Sequence, residues 1–269
     1  MFTVLLTALF GIGVATGLWL GDVFGPVGSC VWGVVPFFAA NALAGYLIRR
    51  KVKAAMDQVQ AVMVAGQKRM QAKVARWQMR PPGSIQAAQA EMAHDQREFV
   101  KEALAETEPL HRFEPWVPLM GRQIATAQLQ LHWMIKEYAK VDELMPKALF
   151  VDPTMSAIRI ARMHMLNRPS EEIGKVYEKA VRRLRYNQNV LLAAAYSWIL
   201  VKRGEIDAAF QALNRALEKS DNETLKANRD HLANNRVAHF TNTAIGDQWF
   251  ALQLEEPRMH QQRQRMQWR

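Results

Sequence analysis

The chain holds one cysteine, Cys30, in 269 residues. That count excludes an intramolecular disulfide framework and any metal site built on a cysteine cluster. Cys30 lies inside an apolar run, where it reads as a small packing residue rather than a reactive thiol. Eleven Pro and 14 Gly are too few for a collagen-like or low-complexity chain. Charge is missing from the first 48 residues, where Asp22 is the single charged side chain. The chain has no phosphate loop, no nucleophile elbow and no His-Glu-x-x-His. Gly11, Gly13 and Gly17 do not make a dinucleotide fingerprint, because the third glycine is misplaced and no strand precedes them. No enzyme activity, cofactor or bound metal is expected. Hydrophobic residues make up 49% of the chain, enough for a real core and too many for wholesale disorder.

Two uncharged runs fill the amino terminus, Phe2 to Leu20 and Val23 to Ile48. A membrane-spanning helix needs about 20 such residues. Leu20-Gly21-Asp22, with Gly25-Pro26 just beyond, is turn chemistry. The expectation is a transmembrane hairpin over residues 1–48, with spans at about 2–20 and 27–48. A cleaved signal peptide is the competing reading, but nothing positive precedes the first run and a longer run follows it. Gly13, Gly17 and Gly21 recur at steps of four and predict a close helix–helix approach. Asn41 needs a hydrogen-bond partner in lipid, most simply across the hairpin, and Pro36 predicts a kink. Arg49, Arg50, Lys51 and Lys53 follow immediately and place that end in the cytoplasm. Both termini would then be cytoplasmic, in an inner (plasma) membrane protein.

Residues 49–80 form a basic amphipathic helix in this reading. Its cations are Arg49, Arg50, Lys51, Lys53, Lys68, Arg69, Lys73, Arg76 and Arg80, opposed by Asp57 alone. Val52, Met56, Val59, Met63, Met70, Val74 and Trp77 share one face. Three placements compete. The helix lies on anionic lipid with Trp77 and the methionines inserted, it continues the second span as a stalk, or it packs on its own domain. The first placement makes the cations through Arg76, together with Trp77, membrane-surface contacts. Residues 1–80 carry a net +7 and the tail 257–269 carries +4, which leaves −1 between them. A nucleic-acid protein places its basic patch on the folded domain, so no nucleic-acid partner is expected.

The rest reads as all-α. Pro81-Pro82-Gly83 is a stop, and Ser84 caps a helix that runs to about Thr107. Pro109, Pro115 and Pro118 mark a linker that completes residues 81–120, with Phe113 and Trp116 expected to pack on the domain. Residues 121–256 divide into helix lengths separated by short breakers, and 257–269 form a basic tail.

Arg203-Gly204-Glu205-Ile206-Asp207-Ala208-Ala209-Phe210, continuing through Leu213, Ala216 and Leu217, resembles the second half of a tetratricopeptide repeat. In that 34-residue frame Ala193, Tyr196, Ser197 and Leu200 take the first-helix signature positions. Weaker units precede it at 122–153 and 154–189, and 223–256 looks like a degenerate pair or capping helix. Pro146 interrupts the expected second helix of the earliest unit. The resemblance implies an α-solenoid of about three helix pairs plus a capping helix; an unrelated helical bundle is the alternative. It also implies a protein-binding groove lined by Gln130, Trp133 and Met134, then Arg162, Met165 and Leu166, then Trp198, Val201 and Lys202. The two indoles read equally well as core. His132 and His164 fall at equivalent repeat positions, where packed imidazoles are favoured over a metal pair.

The layout of anchor followed by repeats is similar to HemY-type proteins and to membrane repeat subunits of exopolysaccharide secretion systems. It implies a membrane scaffold that binds partner proteins and helps assemble an envelope complex. The alternatives are a lipid-binding, membrane-organising protein acting through its basic helix, or a non-catalytic subunit of a membrane enzyme or polysaccharide-export complex. A homo-oligomer is compatible with each.

Overall fold

The computed structural model describes residues 2–21, 25–79 and 83–256. The turn at Asp22, Arg80, the Pro81-Pro82 stop, the tail 257–269 and the side chain of Cys30 lie outside the described residues. Every regular element among the described residues is helical. The chain divides into two compact units, Met1–Ala148 and Leu149–Arg269, so the earliest expected repeat falls almost wholly in the first.

In the first unit, α1 (Phe2–Leu20) packs along α2 (Pro26–Met79). The contacts pair Asn41 with Thr7, Phe37 with Gly11 and Gly33 with Ala15. The residue numbers rise on one helix as they fall on the other, so the two run antiparallel. A Cβ on Gly11 would lie 2.8 Å from the Phe37 Cβ, and one on Gly33 would lie 2.6 Å from the Ala15 Cβ. These two glycines set the close approach. Gly13 and Gly17, expected in that role, have nothing within 4 Å of their Cβ positions, and Gly21 is exposed. The seam follows the stripe of Gly11 and Ala15 because their faces meet Gly33. Thr7, Gly11 and Gly33 are the buried residues of the described 2–48 stretch, while Leu5, Leu9, Phe10, Val31, Phe38 and Leu43 are more than half exposed.

The 54-residue α2 is about 80 Å long at the usual rise per residue. It passes through Pro36 without leaving the helix. Among the described residues it is the one helix long and apolar enough to cross a membrane. Its middle does a different job. Ala55 and Val59 join a core with Phe99, Val100 and Ala103 of α3 (Ile85–Ala105), Leu110 and Phe113 of the 3₁₀ helix Glu108–Phe113, and Met120, Ile124 and Leu131 of α4 (Met120–Met134). Val52, Met56, Met63 and Met70 pack around it. From Val52 to Met70 the apolar stripe of the basic helix therefore packs on its own domain, as in the third placement, while Val74 stays exposed and the helix continues unbroken from the uncharged stretch, as in the second. Gly66 lets α3 approach: a Cβ there would lie 2.5 Å from Phe99 Cγ. Lys73 clasps the same two helices through Glu91 at 2.7 Å and through Asp95. These two carboxylates hold the Lys73 pKa above its ordinary value. Ser84 caps α3 by accepting from the Ala87 amide. The helix α5 (Tyr138–Leu144) stops just before Met145-Pro146, as the missing proline N–H requires.

The second unit contains α6 (Pro153–Met165), α7 (Ser170–Val181), α8 (Val190–Lys202), α9 (Ile206–Leu217), α10 (Glu223–Ala233) and the short α11 (Asp247–Phe250). Asp152 caps α6 with Pro153 at its first position, and Asn222 caps α10. The 13-residue α8 is apolar all round and buried from Leu191 to Ala195 and from Ser197 to Leu200. It is too short to span a bilayer and forms the core of the unit. It touches α6, α7, α9 and α11. Ala157 and Ala161 of α6 and Ala209, Leu213 and Ala216 of α9 are buried beside it.

One turn recurs. After α4, α6, α8 and α10 the second residue past the helix is left-handed: Lys136, Asn167, Gly204 and Asn235. In each case the following amide reaches back five residues, Glu137 to His132, Arg168 to Met163, Glu205 to Leu200 and Arg236 to His231. This is the Schellman closure, which favours glycine and asparagine.

Candidate functional site

The face nominated by the sequence is described unit by unit. In the first unit, Gln130 is exposed, Met134 is half-buried and Trp133 is buried. The Trp133 indole meets the Tyr138 ring edge-on at 5.7 Å, which makes it a core side chain and not an open anchor. His132 Nδ1 lies 2.7 Å from Glu137 Oε2.

In the second unit, Leu166 and Lys202 are exposed, and Arg162, Met165 and Val201 are half-buried. Trp198, nominated as an anchor, is buried. The reason is the carboxy-terminal segment. Trp249 of α11 meets Trp198 at 6.0 Å in an edge-on contact. Glu255 then bridges both indoles, accepting from Trp198 Nε1 at 2.7 Å and from Trp249 Nε1 at 2.8 Å. One carboxylate thus satisfies two buried N–H donors. The segment is pinned from its other side by asparagines. Asn228 Nδ2 donates to Asn242 Oδ1, Asn242 Nδ2 donates to the Ala194 carbonyl, and the Thr241 amide donates to Asn228 Oδ1.

His164 also lies edge-on to Trp198, at 5.6 Å. Its Nδ1 is buried with no hydrogen-bond partner among the described residues. Burial first, and the nearby Arg203 charge second, push the His164 pKa below its ordinary value, so the ring is neutral at pH 7. The Lys202 ammonium lies 5.2 Å from the Trp198 ring centroid. The outcome is a sealed aromatic floor with a cation above it and an open rim at Leu166.

The helix turns are tied to one another nearby. Arg203 donates to Ser170 Oγ at 2.9 Å and to the Arg168 carbonyl at 2.7 Å, while Ser170 donates to Glu205. Asn187 accepts from the Asp221 amide 34 residues away, and Asn189 donates to the Ala216 carbonyl. Tyr177 and Tyr196 stack at 4.2 Å, and Gly174 leaves room for the Tyr196 hydroxyl. Burial pushes both phenols above their ordinary pKa.

The cations of α2 separate by environment. Lys73 is half-buried in its clasp and Arg69 lies 3.9 Å from Glu102. Arg49, Arg50, Lys51, Lys53, Lys68 and Arg76 are exposed, and Trp77 is half-buried. A recess of about 1080 Å³ in the first unit has mixed walls, with Glu108, Glu114 and Glu143 against His111, Arg122 and Lys147. Among the described residues no three His, Cys, Asp or Glu side chains gather to hold a metal.

Sequence reasoning named Trp198 and Lys202 but missed Glu255, Trp249, Asn228 and Asn242. Only pairing across 57 residues of chain brings Glu255 to Trp198. Compared with protein-family models, with curated proteins and with solved structures, the chain matches none.

Proposed function

We infer that this protein is a membrane-anchored helical scaffold that holds a partner protein beside an inner membrane. The observation that carries this reading is the continuity of α2. One helix runs from the exposed apolar stretch before Ile48 into the core at Ala55 and Val59. Whatever holds the apolar stretch therefore holds the domain rigidly. In this reading α1 and the first half of α2 are two antiparallel spans. Exposed leucines, valines and phenylalanines face lipid, and Asn41 donates to Thr7 at 3.3 Å inside the pair. Arg49, Arg50, Lys51 and Lys53 keep that end, both termini and the second unit in the cytoplasm.

The second unit is read as tetratricopeptide-like. Support comes from the recurring left-handed turn and from the 34-residue tie between Asn187 and Asp221. Partner binding is assigned to the open rim of Arg162, Met165, Leu166, Val201 and Lys202, above the sealed Trp198 floor. Arg and large apolar groups at a half-buried rim are suited to protein contacts.

The test is photo-crosslinking in intact cells, with a probe at Lys202 and a control probe at Glu178. Glu178 is exposed and faces Arg215 at 3.9 Å. Capture of one heterologous protein at Lys202 and not at Glu178 supports the reading. Equal labelling at both positions refutes the binding face.

A further inference from the structure

Between α2 and the 3₁₀ helix lies a recess of about 700 Å³. That is within the roughly 300–1,000 Å³ of small-molecule sites. Ile48, Lys51 and Gln58 of α2 form one wall, and Arg112, Phe113 and Trp116 form the other. Two cations line the recess and no carboxylate does.

Lys51 and Arg112 are exposed, and neither has a carboxylate partner among the described residues. Farther along α2 the pattern differs: Lys73 takes Glu91 and Asp95, and Arg69 takes Glu102. The Arg112 guanidinium lies over the Phe113 ring, 4.7 Å from its centroid. That contact uses the face of the cation and leaves its N–H edge able to donate.

The level of the recess along the helices matters as much as its charge. Ile48 is the last residue of the uncharged stretch, and Lys51 follows within one turn. At the same level α1 begins. The Phe2 amide donates to the Pro115 carbonyl at 3.2 Å, and its ring lies 6.1 Å from Trp116. The uncharged stretches of both helices have their border here, with an indole and two cations beside it. Amphipathic aromatics and cations collect at this depth where a bilayer meets water.

We propose that this recess binds the headgroup of an anionic membrane phospholipid. Lys51 and Arg112 take the phosphodiester, Gln58 takes headgroup hydroxyls, and Ile48 and Trp116 lie against the first methylenes of the acyl chains. A zwitterionic choline headgroup would bring a third cation against Lys51 and Arg112. Free phosphate would leave Ile48, Phe113 and Trp116 unused. The proposal rests on the reading of α1 and α2 as embedded in a membrane.

The experiment uses the full chain in a non-ionic detergent. Short-chain phosphatidylglycerol, the matching phosphatidylcholine and inorganic phosphate are titrated separately, and bound copies are counted by native mass spectrometry. The expected result is one retained phosphatidylglycerol in preference to phosphatidylcholine. Lys51→Gln with Arg112→Gln should weaken it about tenfold or more, since two charge-assisted contacts are removed. Lys68→Gln with Arg76→Gln removes equal charge outside the recess and should leave binding unchanged. Lys51→Arg should retain it. Equal retention of phosphatidylcholine, an equal loss in the control pair, or displacement by equimolar inorganic phosphate would overturn the site. Circular dichroism of each variant confirms that its helix content is intact. Alkaline carbonate extraction of cell membranes tests the underlying reading separately. A chain released by carbonate refutes the anchor, whereas a chain that stays in the membrane without a phosphatidylglycerol preference refutes the recess alone.

Discussion

Gly66 is the position where α2 admits α3, and Gly66→Ala is the sharpest test of how the long helix is coupled to its domain. At an exposed position in a helix this substitution stabilises by about 1 kcal/mol, because glycine loses more backbone entropy than alanine. Here the new Cβ would lie 2.5 Å from Phe99 Cγ and 2.8 Å from Phe99 Cβ. Those atoms are the root of a buried side chain, not a flexible tip, so α3 must shift. Overpacking of this kind costs about 1–3 kcal/mol. The net effect is a loss of up to about 2 kcal/mol. Phe99→Ala alone empties the notch and costs about 3–5 kcal/mol. In that background the ring contact is gone but the Cβ of residue 99 remains 2.8 Å away, so Gly66→Ala should cost less than in the otherwise unchanged chain, and the two substitutions should be non-additive. Hydrogen exchange of amides in α3, read peptide by peptide in the detergent-solubilised full chain, reports this opening directly. Slower exchange for Gly66→Ala in the otherwise unchanged chain would show that Phe99 does not sit on Gly66, and the coupling argument would fail.

Further outcomes follow from the second unit. Glu255→Ala strands two buried indole donors and should cost about 2–4 kcal/mol; limited proteolysis should then cut between 235 and 256, and an unchanged cleavage pattern would refute the pin. The depressed pKa of His164 means that the unfolded chain takes up the proton first. Stability is therefore complete above the ordinary value of 6.5 and falls as pH drops below it, a slope that His164→Phe should reduce in thermal unfolding between pH 7 and about pH 5. Gly204 adopts φ 78°, so Gly204→Ala should cost about 1 kcal/mol. Lys136→Gly at φ 61° should gain a comparable amount, and a loss there in denaturant titration would contradict the left-handed turn.

Local signals in the sequence were well matched by local structure. Ser84 and Asp152 carry side-chain oxygens placed to accept from the first turn of a helix, and both do so. Pro146 cannot donate within a helix, and α5 ends before it. The site was less legible. Trp133 and Trp198 have the spacing of a lining residue and of a core residue alike, because both project from the same helical face. Which applies depends on what covers that face. For Trp198 the cover is Trp249 and Glu255, contributed by a segment that reads in sequence only as part of a degenerate pair or capping helix, with nothing local to say which face it covers.

By itself the sequence determined the helical class, the uncharged stretch before Arg49 and most helix ends. Each depends on groups within a few residues of one another: apolar periodicity, caps, prolines and the charge border at Ile48. Only the tertiary structure decided how faces pair. It placed the α1–α2 seam on Gly11 and Gly33 instead of Gly13 and Gly17. It spent the stripe of Val52, Met56 and Val59 on α3 and α4 instead of lipid. It brought Glu255 to two tryptophans and set Lys51 and Arg112 around one recess. A helical face records that it will be covered, but the identity of the cover depends on which distant surface complements it in shape and charge.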